Sequence, residues 1–249
     1  EYFESGTTPE FEDFAIDHRG RRRNQMQMVR LGDFVGVRYD IKSQNNNFEI
    51  YDVVKDPQQT KNLAGTSTMI SLQQKMKDKA LQSRIPNATA PRPYDNVPVP
   101  AVNGIATEKG VQWKGYEGEF PWVPEVTTLT PTEIGMTDFP NANVSKSKSN
   151  GALFFEGYIR IPKEGDYTFF VSASTAALLK IHNATVIDAD YLYFSNTVKG
   201  GTIKLREGLH PFRLYFTTPQ KGFSALDLEW SGPGMEREKM PASVFFHGK

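Results

Sequence analysis

Apolar and polar residues alternate with a period of two along residues 153–172. Ile159 and Ile161 fall on one side of a pleat, and the residues between and beside them fall on the other. This alternation is typical of strands that bury one face. A short polar gap over 162–166 separates two such runs, and it contains Gly165, where a positive φ costs least. The pattern predicts a hairpin in the core of an antiparallel sheet.

Further short apolar runs lie on either side of this pair, separated by turn residues such as Lys199-Gly200-Gly201 and Glu207-Gly208. They predict five more strands, over 111–116, 178–182, 202–206, 211–217 and 226–230. Short strands with turns at this spacing are typical of an antiparallel sandwich or barrel. Aromatic side chains mostly serve as core, so Trp113, Trp122 and Trp230 are all expected to be buried.

A different pattern occupies residues 1–82. Strands are predicted over 26–31 and 34–39, joined at Gly32-Asp33, and over 48–53. Helical spacing then takes over at Met69, Leu72, Met76 and Ala80, and a hydroxyl residue over 66–68 is expected to cap that helix. The narrow apolar stripe predicts a helix lying on a small antiparallel sheet, an α+β unit.

Prolines dominate the stretch between these two regions. Pro86, Pro91, Pro93, Pro98 and Pro100 all fall within 83–110. Proline fixes φ and removes a backbone donor, so this stretch is predicted to be a stiff, extended connector without a sheet strand. The predicted domains are therefore 1–82, a linker over 83–110, and 111–249.

Composition narrows the possible functions. Lys+Arg and Asp+Glu both number 29 in 249 residues, which argues against nucleic acid or an anionic membrane as a bulk electrostatic partner. The chain has no cysteine, which excludes disulfides, thiolate metal sites and cysteine nucleophiles. No apolar run is long enough to span a bilayer. The four histidines match no metal spacing.

Three ordered motifs carry a family resemblance. Gly157-Tyr158-Ile159-Arg160-Ile161-Pro162 with the following Gly165, Tyr167 and Phe169 comes first, then 208–214, then Leu228-Glu229-Trp230-Ser231-Gly232-Pro233-Gly234. Together they resemble the protective-antigen (PA-fourteen) domain. That family is a β-sandwich, often attached to carbohydrate-active enzymes and adhesins. The residue patterns and this resemblance together predict a mainly β chain, with an α+β subdomain followed by an antiparallel sandwich or barrel of protective-antigen type.

Residues 1–82 resemble the C-terminal subdomain of a sulfatase, through runs that lie between 29 and 64. The matching runs are 29–34, 48–53, Lys55-Asp56-Pro57 and Asn62-Leu63-Ala64. Three positions depart from the family pattern: Phe34 replaces tryptophan, Val35 replaces lysine and Gln59 replaces glutamate. In that family this segment is a small antiparallel sheet with one packed helix. The resemblance implies that the chain is the end of a sulfuric ester hydrolase.

Sulfatases use a formylglycine made from the first residue of a Cys/Ser-x-Pro-Ser/Ala-x-Arg motif, with a calcium ion nearby. The nearest string here, Ser231-Gly232-Pro233-Gly234, fails at its fourth position and is expected to be a turn. We therefore expect the chain alone to be inert toward sulfate esters. The catalytic core and its calcium are expected upstream of Glu1, and no cofactor is expected in this chain.

Two sets of residues are candidates for ligand contact. The cluster His18, Arg19, Arg21, Arg22 and Arg23 has guanidinium forks that match sulfate oxygens, although a solvated basic loop is the alternative and is favoured.

The second set is Asp188, Asp190, Tyr191 and Tyr193, beside Phe194, a possible platform for a sugar ring. Packing of these aromatics against a neighbouring sheet is the favoured alternative. Sugar-binding members of the protective-antigen family hold calcium with two consecutive aspartates after the strand that ends at Ser172. Residues 173–177 read Ala-Ser-Thr-Ala-Ala instead, so a calcium-dependent mechanism is not expected.

The sequence thus predicts the non-catalytic C-terminal part of a secreted or periplasmic sulfatase-like hydrolase, with an accessory carbohydrate-binding sandwich. Its expected partners are an upstream catalytic domain and a sulfated or other polysaccharide, with no nucleic acid and no membrane span. The alternative is a stand-alone carbohydrate-binding or adhesion module without an enzymatic parent.

Overall fold

The computed structural model describes residues 1–4, 26–145, 150–219 and 224–249. The chain divides into two compact units, 1–97 and 98–249. It is mainly β with antiparallel sheets, as predicted. No helix in the described part of the chain is long and apolar enough to cross a membrane.

The first unit is an antiparallel sheet of four strands with one α-helix. Its elements in chain order are β1 (Tyr2–Glu4), β2 (Gln27–Leu31), β3 (Phe34–Arg38), β4 (Glu49–Asp52) and α1 (Ile70–Gln82). The strands follow one another across the sheet in the order of the sequence. Gly32 has φ +60°, which suits the two-residue turn that the sequence predicts between β2 and β3.

Helix α1 lies over this sheet, as its apolar spacing predicts. Met76 and Ala80 form a buried cluster with Val29, Phe48 and Ile50. The expected hydroxyl cap is wrong, because Met69 is the residue before the helix and no side chain caps it. A single 3₁₀ turn, Ser67–Met69, leads into α1 instead.

A buried arginine, Arg38, makes several hydrogen bonds inside the first unit. Arg38 is 2% exposed, and its guanidinium donates to Gln27 Oε1 (2.7 Å) and to the carbonyl oxygens of Gln44 (3.0 Å) and Asn46 (2.8 Å). Its planar group also lies 4.4 Å from the centre of the Phe48 ring. Hydrogen bonds and ring contact together compensate for removing this charge from water.

The second unit is a sandwich of two antiparallel sheets. Its strands are β5 (Thr107–Lys109), β6 (Val111–Glu117), β7 (Glu133–Thr137), β8 (Gly151–Ile161), β9 (Gly165–Ala173), β10 (Ala177–Ile181), β11 (Ala184–Ala189), β12 (Val198–Leu205), β13 (Gly208–Thr218), β14 (Leu226–Gly232), β15 (Met235–Lys239) and β16 (Phe245–Gly248). The strand order in the larger sheet is β11-β10-β13-β8-β16-β5; in addition, β6 pairs with β8, and β7 pairs with β6. The strand order in the smaller sheet is β12-β9-β14-β15.

The predicted hairpin between β8 and β9 is wrong, because the two strands lie in different sheets. β8 pairs with β13, β6 and β16, whereas β9 pairs with β12 and β14. The alternation of apolar residues from Tyr158 to Ile161 and along β9 is the same in both arrangements, since these residues bury one face of the strand in either. The short gap after Ile161 therefore crosses from one sheet to the other.

Strand β8 shares one of its edges between two partners. Residues 151–156 pair with β6, and Tyr158 and Ile159 pair with β16. Gly157 stands where the partner changes, and a β-carbon there would lie 2.4 Å from the carbonyl oxygen of Phe246. Only glycine lets the two strands approach β8 at this point.

The connector 83–110 behaves differently along its length. Val99 and Val102 form single bridges to Leu205 and Leu209. β5 begins at Thr107, inside the stretch for which the sequence predicts no strand. The last proline of that stretch is Pro100, so the residues after it keep their backbone donors.

Candidate functional site

Four connections meet at one end of the sandwich, here called the loop end. The register places the last residues of β6, β9, β11 and β13 beside the first residues of β8, β14, β10 and β12. The segments that join these strand ends are 118–132, 174–176, 190–197 and 219–225, of which 220–223 lie outside the described residues. Side chains from segments distant in sequence are thus brought to one surface.

The segment 190–197, here called the aromatic loop, exposes large apolar side chains. Tyr191 is 84% exposed and Phe194 is 77% exposed, with Leu192 between them also exposed. The interpretation that these aromatics pack against a neighbouring sheet is therefore wrong for Tyr191 and Phe194. Leu192 has φ +59° and Asn196 has φ +61°, so the chain adopts left-handed backbone at two non-glycine positions to form this loop.

Tyr193 faces the protein and anchors the aromatic loop. Its hydroxyl accepts a hydrogen bond from the amide of Ala173 (2.9 Å) and donates to the carbonyl of Thr197 (2.5 Å). The amide of Asn196 adds a bond to the carbonyl of Ala173 (2.7 Å). The half-buried Tyr193 is thus an internal brace of the loop, while its neighbours on both sides point away from the core.

The two aspartates of the predicted platform have different environments. Asp188 is exposed, and its Oδ1 accepts the amide of Asp190 (3.2 Å), which forms a local turn. Asp190 is half-buried, and its carboxylate lies 3.1 Å from the amide nitrogen of Val123. The pKa of Asp190 is raised overall, mainly by burial. The charge of Asp188 raises the pKa further, and the hydrogen bond from the Val123 amide partly opposes this.

The prediction that Trp122 is buried is wrong. It is 65% exposed, whereas Trp113 and Trp230 are buried as predicted. The segment that contains Trp122 is attached to the larger sheet, because Val126 packs with Tyr116, Phe154 and Tyr215 on the outer face of that sheet. Pro121 before Trp122 and Pro124 after Val123 mark this segment as a loop, and that was the available signal.

The segment 173–177 does not have the chemistry of a calcium site. It contains no carboxylate, and calcium takes six to eight oxygen ligands that usually include several carboxylates. Its oxygens are engaged within the protein: Ser174 Oγ accepts the amide of Ala225 (3.1 Å), Thr175 Oγ1 donates to the carbonyl of Thr217, and the carbonyl of Ala176 accepts the amide of Thr217 (3.0 Å). Across the described residues, no three His, Cys, Asp or Glu side chains form a group that could hold a metal.

The family of the second unit follows from a direct comparison. The model of the PA14 domain, the protective-antigen domain, matches residues 107–243, more than half of the 249 residues. The chain belongs to the PA14 family. The PA14 match spans the sandwich from β5 to the turn before β16 and includes every residue of the loop end described above.

Three of the solved structures that the chain matches are of different kinds. An anti-sigma factor domain-containing protein from Clostridium clariflavum is 20% identical, with 57% of this chain and 48% of that chain covered and a TM-score of 0.46. The epithelial adhesin 9 A domain from Candida glabrata, in complex with Galβ1-3GlcNAc, is 13% identical over 60% and 96%, with a TM-score of 0.46. A PA14 sugar-binding domain from an RTX adhesin is 13% identical over 56% and 99%, with a TM-score of 0.48.

The chain therefore spans about half the length of the anti-sigma factor domain-containing protein that it resembles. No curated protein matches the sequence.

The predicted anion-binding cluster, His18, Arg19, Arg21, Arg22 and Arg23, lies outside the described residues. The residues that carry the predicted sulfatase resemblance make hydrogen bonds within the first unit. Asp56 accepts the amide of Lys61 (2.8 Å), and Asn62 Oδ1 accepts the amides of Ile50 (3.0 Å) and Ala64 (3.0 Å). These bonds fold the Asp-Pro…Asn-Leu-Ala segment back onto β4.

Proposed function

We propose that the chain is a carbohydrate-binding module whose second unit contacts sugar through the aromatic loop. The supporting observation is the exposure of Tyr191, three residues after the exposed Asp188, on a loop that Tyr193 braces from within. A pyranose ring has an apolar face of C–H groups and an edge of hydroxyls. An exposed aromatic ring next to a carboxylate matches both, since specific sites combine apolar walls with a few placed polar groups.

A glycan array probed with the full chain tests this proposal. Wild-type protein is expected to bind a subset of glycans, and Tyr191→Ala is expected to lose that signal because the ring face is removed. Phe139→Ala is the matched control, since Phe139 is also an exposed aromatic but follows β7 at the opposite end of the sandwich. Equal binding by wild type and Tyr191→Ala, or no binding by wild type, contradicts the proposal.

The proposal extends to the whole protein. The chain would be the accessory C-terminal part of an extracellular or periplasmic sulfatase-like hydrolase acting on glycans, with its catalytic domain upstream as the partner. The motif residues of 29–64 support this, and so does the first unit, because a small antiparallel sheet with one packed helix is what that resemblance implies. A sulfated polysaccharide would then be the substrate of the parent enzyme.

The coding sequence upstream of Glu1 tests this extension. A Cys/Ser-x-Pro-Ser/Ala-x-Arg motif there supports a sulfatase parent. A signal peptide directly before Glu1 contradicts it and favours a stand-alone binding or adhesion module. The chain alone is expected to release no sulfate from an aryl sulfate, and measurable release would also contradict the assignment.

A further inference from the structure

Asp190 joins two loops that both expose large aromatic side chains. Its carboxylate oxygens lie 3.2 and 3.1 Å from the amide nitrogen of Val123. Trp122 directly precedes Val123, and Tyr191 directly follows Asp190. Because consecutive Cα atoms are about 3.8 Å apart, this bond keeps the backbone segments that carry the two exposed rings close together.

We infer that Trp122 and Tyr191 are the two sides of one clamp that holds a pyranose ring without a metal ion. The inference rests on the proposed function and adds three features to it. Trp122 is the second wall, the hydrogen bond of Asp190 links the two walls, and binding does not depend on calcium. The clamp is defined here as Trp122, Asp188, Asp190 and Tyr191.

Both walls are carried by anchored backbone. Val123 and Val126 pack with Phe154 and Tyr215 on the outer face of the larger sheet, so the backbone beside Trp122 is fixed by apolar contact. Tyr193 fixes the other loop through Ala173. A site with pre-positioned walls loses less conformational entropy when it binds, which favours affinity for a small ligand.

Asp188 supplies the polar part of the clamp. Its hydrogen bonding within the described residues is one bond, from the amide of Asp190 to Oδ1, and a carboxylate has about four acceptor positions. Sugar hydroxyls are donors that suit the remaining positions. The same negative charge disfavours an anionic lipid surface, so the exposed apolar residues here fit a neutral sugar better than a membrane.

Calcium does not enter this mode of recognition. The oxygens of 173–177 are engaged in hydrogen bonds within the sandwich, and Tyr193 is bonded to the Ala173 amide at the start of that segment. Admitting a metal at 173–177 would require breaking these bonds without gaining a carboxylate ligand from that segment. Stacking on two aromatic faces needs no metal, because the contact is between apolar surfaces.

Intrinsic fluorescence gives a direct readout on the full chain. Trp122 is exposed whereas Trp113 and Trp230 are buried, so a ligand seated in the clamp changes mainly the Trp122 emission. The probes are the methyl glycosides of glucose, galactose, mannose and N-acetylglucosamine. At least one is expected to give a saturable change that is the same in calcium and in EDTA.

Variants separate the parts of the clamp. Tyr191→Ala and Trp122→Ala are expected to weaken binding at least tenfold, with Trp122→Ala measured by calorimetry because it removes the reporter. Asp190→Ala is expected to weaken binding several-fold by removing the hydrogen bond that links the two walls. Asp190→Asn is expected to restore most of it, because an amide oxygen can still accept the Val123 amide. Phe139→Ala is expected to bind like wild type.

Each other outcome overturns the inference. Binding that EDTA abolishes, or wild-type affinity in Trp122→Ala, would overturn the clamp and leave the proposed function standing. A wild-type protein that binds none of the four glycosides and no glycan on the array would overturn both. Sedimentation with phosphatidylcholine vesicles, or dimerisation, that Tyr191→Ala removes would assign the surface to a different occupant.

Discussion

The imidazole rings of His182 and His210 meet edge to face inside the sandwich, with Nε2 of His182 2.9 Å from Nδ1 of His210. Nε2 of His210 lies 2.8 Å from the carbonyl oxygen of Arg206, so it carries the proton and donates it. Nδ1 of His210 is therefore the acceptor, and His182 is the donor. A second proton on His210 would turn its Nδ1 into a donor, so the bond between the rings would persist only if His182 gave up its Nε2 proton.

This pair predicts that the protein loses stability in mild acid. Burial lowers the pKa of His210 from 6.5 to about 4. Between these two pH values His210 is protonated in the unfolded chain but neutral in the folded chain. Its contribution to the free energy of unfolding is therefore complete above pH 6.5 and is lost as the pH falls toward 4. At about 1.4 kcal/mol per pH unit, the loss is about 3 kcal/mol.

Urea unfolding at several pH values between 7.5 and 4.5 measures this loss. His210→Gln should show a weaker dependence on pH in the same interval, since glutamine does not titrate there. Nuclear magnetic resonance gives the direct check on the ring, and a His210 titration midpoint near 6.5 in the folded protein would contradict the prediction.

Arg38→Ala is expected to destabilise the first unit by about 3 kcal/mol, because it removes several charge-assisted hydrogen bonds and leaves the carbonyls of Gln44 and Asn46 without this donor. Circular dichroism at 222 nm follows that unit, since α1 belongs to it. All three tryptophans belong to the other unit, so fluorescence follows the sandwich separately. Arg30→Ala, at an exposed position of the same sheet, should change the midpoint little; an equal effect of both would be a contradiction.

Gly157→Ala is expected to destabilise the sandwich by about 2 kcal/mol or more, because the added methyl group meets the carbonyl of Phe246 at 2.4 Å in a buried part of the sheet. Tryptophan fluorescence during denaturation measures the change. Gly248→Ala is the control, since its nearest neighbour would be 3.9 Å away. A wild-type midpoint in Gly157→Ala would show that β16 can move away from β8.

Tyr193→Phe is expected to loosen the aromatic loop without unfolding the sandwich. It removes the hydroxyl that links Ala173 to Thr197, at a cost of about 1 kcal/mol. Hydrogen exchange measured by mass spectrometry should become faster for 190–197. Tyr191→Phe removes a hydroxyl from an exposed ring and should leave exchange unchanged, so faster exchange in both variants would argue against the brace.

Local patterns predict the strands of this fold better than the pairing between them. Strands β2 and β3 are found where the sequence places them, because a two-residue turn fixes a hairpin locally. β8 and β9 are also found, but their partners are distant in sequence, and a period of two says nothing about which edges pair. Strand β15, Met235–Lys239, is missed because its charged residues suit an exposed edge and carry no apolar alternation.

The candidate site is only partly accessible to sequence reasoning. Tyr191 and Asp188 are singled out because an aromatic residue and a carboxylate lie close together in the sequence, and the structure leaves both exposed. Trp122 is not singled out, because the link between its loop and the aromatic loop is a hydrogen bond between residues 67 positions apart, Asp190 and Val123. Nothing in the local pattern around either residue encodes that bond.

Strand β16 sets the practical limits of the folding unit. It lies beyond residue 243, where the family match ends, yet it fills the edge of β8 next to Gly157, and Phe245 stacks 5.5 Å from Phe212 in the interior. At the other limit, Val99 and Val102 are already bridged to the sandwich before the match begins at 107. An excised fragment trimmed to the family boundaries would leave one edge of β8 unpaired at Tyr158 and Ile159 and a core aromatic without its neighbour, so expression work on this module should retain residues 98–249.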